Sequence, residues 1–128
     1  IAVKEATGDV GYGGDLLART ETPVLSGDDG TFFPLMTLGG SGVISVISNV
    51  CPEKTVALAQ AAEEGDLLTA RQLHFELLPV VEYLFHTSNP VPCKALMAAL
   101  GFCRNELRLP LAPIPEPEDE ELLEACSP

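Results

Sequence analysis

The sequence predicts an α/β fold, with a parallel sheet in its first half and helices alone in its second. Three observations carry this. Short apolar or β-branched runs alternate with helical segments as far as residue 64. The run over 43–48, Val-Ile-Ser-Val-Ile-Ser, holds no charge, as suits a parallel strand covered by helices on its faces. Beyond Gly65 only helical spacing is left. Strands that alternate with helices imply parallel pairing through helical crossovers.

Taken in order, residues 1–6 read as a short buried strand closed by Thr7-Gly8-Asp9. Residues 15–19 suggest a helix, although Gly11, Gly13 and Gly14 weaken its start by roughly 1 kcal/mol each against alanine. Residues 23–26 form a second strand ending at Gly27-Asp28-Asp29, and residues 31–38 a helix stopped by Gly39. The third strand is expected over 43–48. A helix over 52–64 ends at Gly65, and Asp66 caps a longer one running to residue 85, with Pro79 expected to kink it. Asn89-Pro90-Val91-Pro92 opens a further helix closed by Gly101. Residues 107–115 are an extended, proline-rich connector, and residues 118–126 a last short helix with an acidic first turn that suits the helix dipole. The chain divides accordingly into a strand-containing part over 1–65 and a helical part over 66–128.

The 128 residues carry a net charge of −12, much of it in the run 116–124. That balance argues against nucleic acid and against an anionic membrane surface, both of which call for clustered Lys and Arg. No apolar stretch approaches the ~20 residues of a membrane span, and the first residues lack the basic-then-apolar pattern of an export signal. Cys51, Cys93, Cys103 and Cys126 show no metal-ligand spacing, so no metal is expected; free thiols in a reducing cytoplasm are. A mean hydropathy of +0.22 suggests that part of the surface meets a partner. The chain opens on Ile1-Ala2-Val3, inside an expected strand and without an initiator methionine, and so reads as a piece of something longer.

Lys4 is the first candidate for chemistry. On a strand it shares a face with Ala2 and Ala6, which leave room around its amine. Burial there would favour the neutral amine that attacks carbonyls. On the strand alone, the simpler reading is an exposed lysine paired with Glu5.

The wider pattern changes the balance. Val3-Lys4-Glu5-Ala6-Thr7-Gly8 is followed by Leu25-Ser26-Gly27-Asp28-Asp29, then by Gly39-Gly40-Ser41-Gly42-Val43-Ile44-Ser45-Val46 and Ser48-Asn49-Val50. Asn89-Pro90-Val91-Pro92-Cys93-Lys94 and Leu107-Arg108-Leu109-Pro110-Leu111 complete the series. In this order and at these intervals, the segments resemble the dihydrodipicolinate synthase family over essentially the whole chain.

The resemblance implies a (β/α)8 TIM barrel, of which this chain would carry the last three strands, followed by a C-terminal helical domain. It implies condensation of pyruvate with aspartate semialdehyde on the way to diaminopimelate and lysine. Lys4 would form the imine with pyruvate, Gly27 and the backbone of Ile44 would line the pyruvate pocket, and Asn89 is a further pocket candidate. No cofactor beyond that covalent imine is implied. The family's tyrosine relay, its threonine partner and its carboxylate-binding arginine precede the lysine, and Tyr12 and Tyr83 do not replace them. The chain alone is therefore expected to be inactive. Two departures stand out: Gly11-Tyr12-Gly13-Gly14 in place of a better helix former, and Ser41 in place of a larger residue.

Other signals are weaker. The glycines of 8–14 fit neither GxGxxG nor a Walker motif. Asp28-Asp29 is more simply a turn and helix cap than a metal site, and His74 and His86 are more simply surface histidines. N-acetylneuraminate lyase and keto-deoxy-sugar aldolases share the lysine and are the near rivals. A non-catalytic half-barrel that serves assembly or regulation is the rival from another class. Three strands cannot close a barrel, so the open edges are expected to pair with the missing half or with another copy, as a homo-oligomer.

Overall fold

The computed structural model describes residues 1–126. Residues 127 and 128, the end of the expected helical part, lie outside them. Strand β1 (Val3–Glu5) and strand β2 (Val24–Ser26) pair in parallel, with Lys4 opposite Leu25. The crossover between them is helix α1 (Val10–Arg19). Then come α2 (Phe32–Thr37), a 3-10 turn (Ile47–Asn49), α3 (Pro52–Glu64), α4 (Leu67–Phe85), α5 (Val91–Ala99) and α6 (Glu120–Ala125).

Helix α1 begins five residues before its expected start and runs through three glycines. Its N-terminus is made by Asp9, whose carboxylate accepts from Gly11 N and Tyr12 N. That cap offsets part of the poor propensity. Packing explains the rest at Gly13: a Cβ there would stand 2.6 Å from Leu35 Cδ1. Glycine lets α1 lie close against α2.

The third strand does not form over 43–48. Parallel pairing on the far side of β2 covers residues 41–44 instead. Ser41 N donates to Val24 O, Ser26 N to Gly42 O and Ile44 N to Ser26 O, with a single bridge at Val43. After Ile44 the chain turns inward. The buried carboxylate of Asp29 accepts from Val46 N at 2.8 Å and Ile47 N at 3.1 Å. Ser45 Oγ also accepts from Ser48 N. Those backbone donors are therefore spent on side chains rather than on a ladder, and Ile47 enters the core.

The helical half follows its local signals. Pro52 stands at the first position of α3, and Gly65 closes it at φ 79°. Asp66 caps α4 through Thr69 N. Helix α4 continues through Pro79 as far as Phe85. The connector over 107–115 holds no regular element, and Asp119 caps α6 through Glu121 N and Leu122 N. The principal core joins Phe32, Ile47, Leu58, Leu84, Leu96 and Leu122, so α2 to α6 contribute to one apolar cluster. None of the described helices is long and apolar enough to cross a membrane.

Asp29→Ala should destabilise the chain by about 3 kcal/mol, because a buried and a part-buried N–H group lose their shared acceptor. Asp28→Ala, which removes an Asx-type cap on Gly30 N and Thr31 N, should cost about 1 kcal/mol. Urea denaturation of the two variants checks the order.

Candidate active site

Parallel strands in register bring their C-terminal ends side by side. Val3 faces Val24, Glu5 faces Ser26, and Ser26 in turn bridges Val43. Lys4 stands one residue before the end of β1, and Gly27 and Ile44 stand just past β2 and the bridge at Val43. The sequence-predicted pocket residues of the first half thus lie along one edge of a short sheet.

Gly27 is where the approach is tightest. Its N–H donates to Glu5 O across the strands. A Cβ on residue 27 would stand 2.5 Å from Ala6 Cβ, 2.6 Å from Lys4 Cε and 3.0 Å from Glu5 O. The stem of Lys4 therefore runs over the bare backbone of Gly27, and a larger residue there would press on Ala6 and on the Glu5 carbonyl as well as on the movable end of the lysine. Ile44 is tied to the same place through its N–H, 2.7 Å from Ser26 O, while its side chain is exposed.

Glu5 is not the partner of Lys4. Alternation along β1 turns it inward, where it is buried, and its Oε1 accepts from Thr7 N at 2.6 Å. Ala2, Lys4 and Ala6 are all exposed, so the face that carries the amine is uncovered in this chain. A cleft of about 420 Å³ between α1, α2 and β2 opens at the opposite, N-terminal end of the strands, near Pro23 and Ser41.

The remaining candidates lie apart from this edge. Asn89 is exposed in the turn between α4 and α5. Tyr12 is exposed on α1. Tyr83 lies on α4 with its hydroxyl buried and unpartnered, and burial raises its pKa. His86 is exposed, whereas His74 is half-buried against Phe33, and that burial lowers its pKa. Among the described residues no group of three His, Cys, Asp or Glu side chains could hold a metal.

Sequence reasoning missed Asp29 and Ser26. Asp28 alone makes the turn, which frees Asp29 to point inward. Ser26 is fully buried, and its hydroxyl donates to Asp28 O at 2.7 Å. The signal available was the doubled aspartate, since one suffices for a cap.

Residues 1–127 match the Dihydrodipicolinate synthetase family. The chain belongs to that family. The 4-hydroxy-tetrahydrodipicolinate synthase of Methanosarcina acetivorans is 41% identical over 126 residues, which are 96% of this chain and 43% of that protein. The enzyme of the same name from Nitratidesulfovibrio vulgaris is 45% identical over 124 residues, 95% of this chain and 42% of that one. Among solved structures, dihydrodipicolinate synthase from Aquifex aeolicus superposes with a TM-score of 0.86 at 38% identity, covering 98% of this chain and 42% of that one. The Acinetobacter baumannii enzyme gives a TM-score of 0.87 at 36% identity, covering 98% and 44%. The chain thus shares the barrel-type fold of dihydrodipicolinate synthases and spans a little over two fifths of the relatives it matches.

Gly27→Ala should cost about 1–3 kcal/mol by urea denaturation, as overpacking does. In a Lys4→Ala background the cost should be smaller, because one of the two clashing side chains is gone.

Proposed function

We propose that this chain supplies the Schiff-base lysine of a dihydrodipicolinate synthase, with Lys4 as the nucleophile that takes pyruvate. The observation that carries this reading is the passage of Lys4 over Gly27 at the C-terminal edge of parallel strands, where barrel enzymes hold their catalytic groups. Membership of the family supports it, as does a relative from Acinetobacter baumannii described as complexed with pyruvate. Residues 1–65 then represent the last part of the barrel and residues 66–128 the helical domain that follows it. Gly27 and the backbone of Ile44 line the pyruvate pocket, and Asn89 is its outlying candidate.

The chemistry is covalent and uses no cofactor. The neutral amine of Lys4 adds to the keto carbon of pyruvate, and loss of water leaves a protonated imine. That cation draws electrons from the neighbouring methyl group, which loses a proton to give an enamine. The enamine carbon then bonds to the aldehyde carbon of aspartate semialdehyde. Attack of the product's own amine on the imine carbon closes the ring and returns Lys4.

Turnover needs more than the nucleophile. A positioned hydroxyl must move protons and a cation must hold the carboxylates. The tyrosine, threonine and arginine that the family uses for this are not among these residues. The working enzyme therefore needs further sequence over the Ala2-Lys4-Ala6 face, in a cytoplasmic homo-oligomer.

Incubation with pyruvate and borohydride, followed by intact mass spectrometry, tests the assignment. A single reduced pyruvyl adduct is expected, absent in Lys4→Ala. An adduct that survives that substitution overturns the role of Lys4, whereas none in a folded sample makes the 128-residue chain a catalytically silent piece of its family. Synthase turnover by the 128-residue chain is expected to be undetectable; activity in a sample free of longer chains would contradict this.

A further inference from the structure

Two buried thiols meet between the N-terminus of α3 and the end of α6. Cys51 stands just before Pro52 at the N-terminus of α3, and Cys126 follows Ala125 at the end of α6. Their sulfur atoms are 3.0 Å apart although 75 positions separate them in sequence. Both are buried, at 3% and 6% exposure. The ammonium of Lys54 lies beside them and donates to Ala125 O at 3.0 Å. Cys103, by contrast, points its sulfur at the carbonyl of Lys94.

A disulfide needs its sulfurs about 2.05 Å apart, so closing the gap takes about 1 Å. We propose that Cys51 and Cys126 are a redox-sensitive pair, which a low-molecular-weight disulfide oxidises to an intramolecular bond fastening α6 to the N-terminus of α3.

The reaction balances with that oxidant. The Cys126 thiolate attacks one sulfur of the small disulfide and expels one thiolate, leaving a mixed disulfide. Cys51 loses its proton to solvent, and its sulfur attacks Cys126 Sγ and expels the second thiolate. Two S–H bonds and one S–S bond are consumed, and one protein S–S bond and two small thiols result. Cys126 is the natural first attacker: the Cys51 thiol donates to it, which, with the Lys54 charge, holds its pKa below the ordinary thiol value. Cys51 is held above that value as the donor of the same bond and by burial.

Access comes from the weakness of α6. It has six residues, too few to be helical alone, and it hangs on a connector without regular structure. Among the described residues its hold includes the burial of Leu122, the packing of Leu123 and Ala125 on the core and the contacts of Ala125 and Cys126. Local opening of such a segment costs less than global unfolding and exposes both thiols at once. Once formed, the bond should close that route.

Tryptic peptides make the test unambiguous, because each cysteine falls in a different one: 20–54, 72–94, 95–104 and 109–128. The full 128-residue chain is incubated with glutathione disulfide, denatured, alkylated with N-ethylmaleimide, weighed and digested. Two alkyl groups instead of four are expected, with peptides 20–54 and 109–128 joined. The linkage should persist in Cys93→Ser/Cys103→Ser and vanish in Cys126→Ser. Amide hydrogens of α6 should exchange at least tenfold more slowly in the oxidised wild type. Four free thiols under conditions that oxidise dithiothreitol, a different pair of linked peptides, or linkage only between chains would each overturn the proposal.

Discussion

The buried carboxylate of Asp29 ties the turn after β2 to the segment that leads into α3. Its bonds to Val46 N and Ile47 N reach across 17 and 18 positions. On one side they end the pairing of residues 41–44 with β2, so Ile44 stays at the sheet edge beside Gly27. On the other they deliver Ile47 and then Val50 to the core, where α3 begins. A charged acceptor serves this well. It satisfies two backbone donors at once, one buried and one part-buried, where an unmet buried donor costs more than a bond contributes.

How much was legible in the sequence follows from how local each decision is. Helix α3 runs over the very residues read for it, because Pro52, Gly65 and Asp66 act on their immediate neighbours. The acidic start read for the last helix was equally local, although α6 begins at Glu120 behind its Asp119 cap rather than at 118. The third strand was misread because Val43 to Ser48 has every strand propensity, while the competitor for its N–H groups, Asp29, lies far back in the chain. Helix α1 was misread in the opposite sense. Its glycines look like helix breakers until Leu35 is placed 2.6 Å from where a Cβ of residue 13 would be.

The candidate site divides the same way. Nothing in the residues around Lys4 distinguished a nucleophile from an exposed lysine, and only the family resemblance singled it out. The observed distances add a physical constraint that no pattern carried: a Cβ on residue 27 would meet Ala6 Cβ and Glu5 O besides the lysine stem. They also remove the pairing with Glu5, which strand alternation alone could have excluded, since neighbours on a strand point to opposite faces.

That geometry bears on what the proposed chemistry demands. A lysine amine attacks a carbonyl readily only where its charged form is disfavoured, and desolvation is the usual means. Lys4 has a close apolar neighbour on one side, at Gly27 and Ala6, and an open face on the other. The strand that carries it has one sheet neighbour, and its outer edge is free among the described residues. A sheet edge with unmet N–H and C=O groups binds another strand before anything else. The strand that satisfies that edge lies in the plane of the sheet, so the Ala2-Lys4-Ala6 face is enclosed only by what packs across from it. On the proposed reading of Lys4 as the nucleophile, activation therefore depends on the sheet curving round until that face is enclosed, and pairing of the edge is only the first step.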